Sequence, residues 1–176
     1  LCLMTAQIAN GGYKIKPKIL TDDNQLTSEQ VKKAMQDSKT NYFYTPLYDD
    51  QKNIKIIQKA MFSSTNELYG TSYKSRIDDP KYQFAGKTGT AQVKRISKRE
   101  RELDLKTFQI PYEERDHALY VAFGPYKNPR YALSILIEHG GSGSSVAAPL
   151  AKKLFKKIID RHEIRVNHEK NKYLNI

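Results

Sequence analysis

The sequence predicts an α+β fold in which helices cover an antiparallel sheet. Two apolar, strand-like runs at 117–126 and 131–138 flank a short turn that contains Asn128-Pro129, a pattern typical of an antiparallel hairpin. The stretch 82–93 alternates apolar and polar residues and predicts a third strand. Helical patterns flank these strands, so we expect helices to pack on the sheet.

Two helices are predicted before the sheet. Residues 1–10 show helical apolar spacing, and Gly11-Gly12 follows as a stop because glycine accepts the left-handed conformation that ends many helices. Residues 54–69 predict an amphipathic helix, and the polar stretch 21–53 between the two predicts a surface excursion. The side chains expected to face inward are Leu1, Cys2, Met4 and Ile8 in the first helix and Ile54, Ile57, Met61 and Leu68 in the second.

The C-terminal part predicts a flexible glycine-serine loop at 139–145 and then the clearest helix, with Pro149 at its first position. One face of this helix carries the apolar residues Ala151, Leu154, Phe155, Ile158 and Ile159, and the other carries Lys152, Lys153, Lys156 and Lys157. We expect one unit at 1–163, which includes a long charged connection at about 94–115, and a polar tail at 164–176 that frays.

The net charge of +11 is spread over the whole chain, with basic residues interleaved with acids. No zinc-finger spacing or aromatic-and-basic motif accompanies it, so a nucleic-acid partner is not predicted. An anionic membrane or wall polymer as a partner would account for the charge, and so would a plain compositional bias. One cysteine excludes an internal disulfide and a multi-cysteine metal site. The chain begins with leucine rather than methionine, so we expect it to be part of a longer protein.

The stretch FAGKTGTAQV, residues 84–93, concentrates chemistry on the first predicted strand. Strand alternation places Lys87 and Gly89 on one face and Thr88 and Thr90 on the other. An ammonium beside hydroxyls suits a carboxylate, and glycine lets a ligand approach the backbone. Free N–H groups of an edge strand can pair with an extended peptide or stabilise an oxyanion. The alternative is an ordinary half-exposed strand, since three-residue motifs recur by chance.

Several stretches, in the same order, resemble the class B penicillin-binding transpeptidases. FAGKTGTAQV is similar to the third active-site motif of the penicillin-recognising serine acyl-transferases. LMTAQIANGGYKIKPKIL resembles the helix and turn of that class, and AMFSSTNELYGTSY resembles its helix ending in a Gly-Thr pair. Residues 116–155 resemble its strand pair and final helix. The resemblance covers most of 1–160, is strongest over 84–155, and is closest to the cell-elongation type.

This resemblance implies a partial β-lactamase-like transpeptidase fold and the activity of a serine-type D-Ala-D-Ala transpeptidase. Lys87, Thr88 and Thr90 would bind the terminal carboxylate of a D-alanyl-D-alanine peptide or a β-lactam. Lys87 would also act catalytically, through the electrostatics of proton transfer at a serine. The N–H of Thr90 would supply half of an oxyanion hole, and Gly89 would leave room for the substrate. No metal or organic cofactor is implied.

The resemblance also implies partners and a location. The partners would be peptidoglycan stem peptides, β-lactams, the upstream half of the same protein and a membrane glycan polymerase. The location would be the bacterial periplasm, with attachment to the inner membrane through an N-terminal anchor that we expect outside this chain.

The Ser-x-x-Lys motif of the family nucleophile does not occur in this sequence. Thr71 precedes Lys74 by the right spacing, but it is not a serine and its place in the motif order is wrong. Residues 64–66 match Ser-x-Asn, but they lie too close to Lys87 and are predicted to be exposed polar residues of a helix. We therefore expect the nucleophile and its base outside this chain, and the chain alone is expected to form no penicilloyl adduct.

Three further titratable residues follow or precede the predicted hairpin strands. His117 is predicted to be structural and Glu138 a strand-end charge, whereas His139 lies where the glycine-rich loop would approach the rim of the site. Because the nucleophile motif is absent, the sequence assigns enzymatic activity to the intact family and not to this chain alone. The alternatives are a non-catalytic remnant of a broken gene, with a binding function or none, and a β-lactamase-type hydrolase of the same superfamily.

Overall fold

The structure is a computed structural model that describes residues 1–17, 46–47, 50–98, 102–103 and 105–174, with only the backbone of 168–174. Nearly all of the predicted excursion at 21–53 lies outside the described residues, as does a part of the 94–115 connection. The described part is a sheet with helices on both faces, which confirms the predicted α+β class.

The sheet has, within the described residues, three strands in the order β1-β2-β3, and both pairings are antiparallel. The strands are β1 (Ala85–Ala91), β2 (His117–Gly124) and β3 (Tyr131–Ile137). Lys87 pairs with Val121, and Val121 pairs with Ser134, which sets the register. The three predicted strands and the hairpin are therefore confirmed.

One face of the sheet packs against the C-terminal helix α3 (Ala148–Leu174). This interface contains the fully buried side chains of Phe84, Tyr120, Ala151, Phe155 and Ile159. The rings of Phe84 and Phe155 stack with their centroids 4.9 Å apart. Because burying one large apolar side chain contributes roughly 1.5–3 kcal/mol, this face is the main hydrophobic core. Of the predicted inward stripe, Ala151, Phe155 and Ile159 are buried as predicted, whereas Leu154 and Ile158 are half-buried.

Two shorter helices, α1 (Cys2–Ala9) and α2 (Gln51–Asn66), cover the other face. Their buried cluster with the sheet consists of Met61, Ala85 and Phe123. The side-chain amide of Gln58 joins the two helices, because it donates to the carbonyls of Ile8 at 2.7 Å and Ala9 at 3.1 Å. These carbonyls lie at the end of α1, where a helix lacks backbone donors of its own.

Both ends of α2 differ from the prediction. The helix begins at Gln51 because the carboxylate of Asp50 accepts a hydrogen bond from the backbone N–H of Lys52 at 2.8 Å. It ends at Asn66, before Gly70, which was predicted to stop it. The predicted excursion therefore ends at residue 50 rather than 53.

The inward face of α2 is only partly as predicted. Ile54 and Met61 are buried, whereas Ile57 is 41% exposed and Leu68 is 68% exposed. Thr65 is fully buried instead. A threonine can occupy this face because its hydroxyl has hydrogen-bond partners there, and apolar periodicity does not reveal such a position.

The inward face of α1 is also corrected. Leu1 is 63% exposed and Met4 is 45% exposed, and Cys2, predicted to be a core residue, is exposed as well. Thr5 is fully buried and donates its hydroxyl to the carbonyl of Leu1 at 2.9 Å. Ile8 packs against the buried cluster as predicted. The polar residue is buried because its hydrogen bond is made within the helix.

The glycine-serine loop is shorter than predicted, and the last helix is longer. A π-helical turn at Gly143–Ala147 leads directly into α3, so Pro149 is the second residue of the α-helix rather than the first. The backbone remains helical to Leu174, so the predicted tail continues α3, and its fraying stays a prediction. Among the described residues, no helix combines the length and the apolar character that crossing a membrane requires.

Candidate active site

The candidate site lies on β1, at an edge of the sheet with no strand partner among the described residues. Backbone groups of a strand point alternately to its two sides. The carbonyl of Phe84 accepts from Asn66 Nδ2 at 2.9 Å, and the carbonyl of Gly86 lies 3.5 Å from Thr65 Oγ1, both across the outer edge. Every second residue points to the same side, so Thr88 and Thr90 follow Phe84 and Gly86, and the N–H of Thr90 lies on this outer edge too.

The ammonium of Lys87 reaches the same edge. Its Nζ donates to the carbonyl oxygen of Thr88 at 3.0 Å, and the side chain is exposed. The register places Lys87 and Gly89 on the face that α1 and α2 cover, and Thr88 and Thr90 on the α3 face. The predicted alternation is therefore confirmed, and the long stem of the lysine brings its charge back to the edge.

The hydroxyl of Thr88 belongs to a chain of three hydroxyls. Thr88 Oγ1 lies 3.3 Å from Thr71 Oγ1, and Thr71 Oγ1 lies 3.2 Å from Ser64 Oγ. Ser64 belongs to the last turns of α2, and Thr71 belongs to the turn that follows this helix. The motif strand is thus in contact with a segment that precedes it in the sequence.

Gly89 lies under the glycine-rich loop. A Cβ built at Gly143 would lie 2.6 Å from the carbonyl oxygen of Gly89 and 2.4 Å from that of Leu119, so the loop backbone rests directly on β1 and β2. A Cβ at Gly89 itself would meet the Cβ of Leu119 at 3.2 Å. Thr90, the next residue, is exposed.

A buried hydroxyl cluster holds the start of β1 against the end of α2. Tyr120 passes beneath Gly86, where a Cβ would come within 2.3 Å of the phenol oxygen. That oxygen lies 2.9 Å from Thr65 Oγ1 and 3.0 Å from Ser72 Oγ. Burial raises the pKa of Tyr120 above its ordinary 10.0, although the hydrogen bonds with Ser72 and Thr65 lower it. The phenol is therefore neutral at physiological pH.

His117 and His139 attach the glycine-rich loop to the start of β2. The Nδ1 atom of His117 accepts the backbone N–H of His139 at 3.0 Å. The Nδ1 atom of His139 lies 3.1 Å from the carbonyl of Arg115, which can only accept, so this nitrogen carries a proton. His139 has a φ of 54°, a left-handed conformation that is uncommon for a residue with a side chain. These contacts support the structural role predicted for His117. Glu138 is exposed just past β3.

The sequence located the strand but not the side chains that support it. Residues 64–66 were predicted to be exposed, yet Thr65 is fully buried and Asn66 donates to the carbonyl of Phe84. The Oδ1 atom of Asn66 is buried and has no hydrogen-bond partner among the described residues. The only trace of this cluster in the sequence is the set of hydroxyl residues on both sides of Gly70.

Comparison with known proteins identifies relatives of this chain. The penicillin binding protein transpeptidase domain matches residues 1–156. The chain is 32% identical over 142 residues to the peptidoglycan D,D-transpeptidase MrdA of Haemophilus influenzae, which covers 77% of this chain and 21% of that protein. It is 36% identical over 157 residues to the MrdA of Acinetobacter baumannii, which covers 88% of this chain and 21% of that protein.

Solved structures show the same relationship. The chain matches Helicobacter pylori PBP2, solved in complex with MreC, with a TM-score of 0.61 and 28% identity over 90% of this chain and 24% of that one. It matches Pseudomonas aeruginosa PBP2, solved in complex with WCK 5153, with a TM-score of 0.57 and 28% identity over 88% of this chain and 28% of that one. The chain spans about a fifth of the length of the curated relatives named above. The chain belongs to the penicillin-binding protein transpeptidase family, is similar to PBP2, and has a partial form of the family's fold that corresponds to the C-terminal part of the transpeptidase domain.

Proposed function

We propose that this chain forms one wall of the active site of a peptidoglycan D,D-transpeptidase and binds D-alanyl-D-alanine peptides and β-lactams along β1. One observation carries the proposal. The outer edge of β1 has no strand partner among the described residues, and the ammonium of Lys87 lies on it, 3.0 Å from the carbonyl of Thr88. Membership of the transpeptidase family supports the same function.

Lys87 supplies the charge that a terminal carboxylate requires. A lysine ammonium has three donors, so it can keep its bond to the carbonyl of Thr88 and donate to a carboxylate as well. Hydrogen bonds between two ionised groups are shorter and stronger than neutral ones. The hydroxyls of Thr88 and Thr90, on the neighbouring positions, complete the carboxylate site.

The outer edge of β1 aligns the rest of the substrate. An extended peptide that adds to a free edge forms backbone hydrogen bonds with it, as another strand of the sheet would. The N–H of Thr90, which the strand alternation places outward, donates to the oxygen on which negative charge develops during acyl transfer. Gly89 keeps a side chain away from the reacting carbonyl.

Acyl transfer in this proposal uses a serine from outside the present sequence, which contains no Ser-x-x-Lys motif. That serine attacks the carbonyl of the penultimate D-alanine, the terminal D-alanine leaves, and the amine of a second peptide takes up the acyl group. Lys87 acts on these steps through its positive charge. The remaining partners in the proposal are the upstream half of the protein and a membrane glycan polymerase, and the location is the periplasmic side of the inner membrane.

The binding step is tested by titrating the isotopically labelled chain with acetyl-D-alanyl-D-alanine and following its backbone amide signals by NMR. We expect the signals of residues 87–90 to move, and the L,L isomer to move them much less. Lys87→Ala should weaken binding about fivefold, since an exposed ion pair contributes up to about 1 kcal/mol.

Lys153→Ala is the matched control, because Lys153 is an exposed lysine of α3. It should leave the affinity unchanged. Equal affinities for the Lys87→Ala variant and the unchanged chain would contradict the proposal, and so would perturbations that avoid β1.

The missing Ser-x-x-Lys motif also favours a second candidate, a non-catalytic remnant. Fluorescent penicillin applied to membranes of the source cell, followed by detection with an antibody to this chain, separates the two. A labelled band well above the 20.3 kDa of this chain supports the transpeptidase. An unlabelled band of about 20.3 kDa supports the remnant.

A further inference from the structure

We propose that Thr71 is a positioning residue that makes the Thr88 hydroxyl a hydrogen-bond donor toward the substrate carboxylate. Thr71 is not part of the KTGT motif and precedes it in the sequence. The inference rests on the proposed function, because it assumes that a carboxylate binds at Thr88. It assigns a role to the hydroxyl chain formed by Ser64, Thr71 and Thr88.

The direction of this hydroxyl chain follows from counting protons. A carboxylate can only accept hydrogen bonds, and a threonine hydroxyl has one proton. When Thr88 donates to a carboxylate, its oxygen can only accept from Thr71, 3.3 Å away. The oxygen of Thr71 then accepts from Ser64, 3.2 Å away. Thr88 and Thr71 then each donate once and accept once, and Ser64 donates at the end of the chain, so the bound anion and the chain of hydroxyls orient each other.

Without Thr71, the Thr88 hydroxyl would lose this constraint. A hydroxyl proton rotates to suit its partners, and a rotor that has to be ordered on binding costs conformational entropy. Thr71 therefore improves carboxylate binding by orienting Thr88 before the substrate arrives. Lys87 attracts the same carboxylate through its positive charge, whereas Thr71 orients the Thr88 hydroxyl that donates to it.

The backbone of Thr71 is held firmly enough for this role, although its side chain is exposed. The backbone N–H and the hydroxyl of Ser72 both lie 3.0 Å from the carbonyl of Ser64. Ser72 is only 1% exposed, and its hydroxyl also lies 3.0 Å from the phenol oxygen of Tyr120. A positioning residue acts only if its own place is set by its surroundings. Here Ser72 holds the neighbouring backbone, and the contacts with Ser64 and Thr88 hold the Thr71 hydroxyl.

The test compares Thr71→Val, which removes the hydroxyl at nearly the same size, with Thr71→Ser, which retains it. The probe is acetyl-D-alanyl-D-alanine, titrated as above. We expect Thr71→Val to bind about fivefold more weakly, and Thr71→Ser to stay within about twofold of the unchanged chain.

A double-mutant cycle gives the readout that a merely structural role would not produce. In a Thr88→Val background the target hydroxyl is absent, so Thr71→Val should cause no further loss of affinity. An equal loss in both backgrounds would overturn the inference. Should Thr71→Val fail to fold by circular dichroism, Ser64→Ala interrupts the chain one step earlier, and we expect about a twofold loss that also disappears in the Thr88→Val background.

The two proposals fail in different ways. If the unchanged chain does not bind the dipeptide, or if Lys87→Ala has no effect, the proposed function is wrong. If the unchanged chain binds and Lys87→Ala weakens binding, but Thr71→Val binds as well as the unchanged chain, only the role of Thr71 is wrong.

Discussion

The two halves of β1 differ in what lies along their outer edge. At the start, Ala85 and Gly86 are buried, and the end of α2 covers the edge through Asn66 and Thr65. At the end, Lys87 and Thr90 are exposed. One strand therefore combines a covered segment with an open one.

This difference explains how a short strand can present reactive groups accurately. The outer edge of the exposed half is open, and the proposed function places the ligand there. The adjoining half supports it from one side, where Tyr120, Thr65 and Ser72 share hydrogen bonds beneath Gly86. Supporting groups of this kind hold a site better than the site residues alone. The predictions below test how strongly the covered half supports the open half.

The largest effect is expected for Gly86→Ala. The new Cβ would lie 2.3 Å from the phenol oxygen of Tyr120 and 2.5 Å from its Cζ, so this buried ring has to move. We expect a loss of about 2–3 kcal/mol in the free energy of unfolding, from overpacking and broken hydrogen bonds. Urea titration followed by circular dichroism measures it.

Gly89→Ala is the matched control in the open half. Among the described residues, its Cβ would have one neighbour within 4 Å, the Cβ of Leu119 at 3.2 Å. Overpacking is milder there, and the change should stay below about 1 kcal/mol. If both variants were equally unstable, the contrast between the halves would be wrong.

A smaller effect is expected for Tyr120→Phe. The ring remains, but Thr65 and Ser72 lose the oxygen that lies 2.9 Å and 3.0 Å from their hydroxyls. We expect a loss of about 1–2 kcal/mol in the free energy of unfolding near neutral pH, since buried hydroxyls are left with poorer partners. Tyr126→Phe, on the half-buried Tyr126, is the control, and a similar loss there would argue against a special role for the cluster.

The smallest effect is expected in the pH dependence of the stability difference between the unchanged chain and Tyr120→Phe. The pKa of Tyr120 is raised in the folded state, mainly by burial, so the unfolded chain releases this proton first as the pH rises past 10.0. The unfolded state then binds fewer protons, and stability falls with increasing pH. Urea titrations from about pH 9 to about pH 11 should show a steeper decline for the unchanged chain than for Tyr120→Phe. Parallel declines would show that Tyr120 contributes no such linkage.

Much of the fold was accessible from the sequence, but the supporting side chains were not. The three strands and the inward stripe of α3 follow from apolar periodicity, because large apolar groups dominate burial. The errors fall where polar residues are buried, as at Thr5 and Thr65, or where apolar ones are exposed, as at Ile57 and Leu68. Periodicity does not reveal whether a hydroxyl will find a partner across the fold.

The candidate site also combines residues that the sequence could predict with residues that only the packing brings together. Lys87, Thr88, Gly89 and Thr90 are adjacent in the sequence, so their alternation on a strand could be predicted from local geometry alone. Thr71 and Tyr120 reach this strand from other segments. Thr88 contacts Thr71, 17 positions away, and Tyr120 contacts Ser72, 48 positions away. Such contacts depend on how the elements pack.

The sequence by itself determined the α+β class, the hairpin, the amphipathic C-terminal helix and the place of the KTGT motif on a strand, because local patterns of apolar and turn residues specify these features. Only the tertiary structure decided which half of β1 is covered and which side chains hold it. Those outcomes depend on the close approach of Tyr120 to Gly86 and on hydrogen bonds between distant segments.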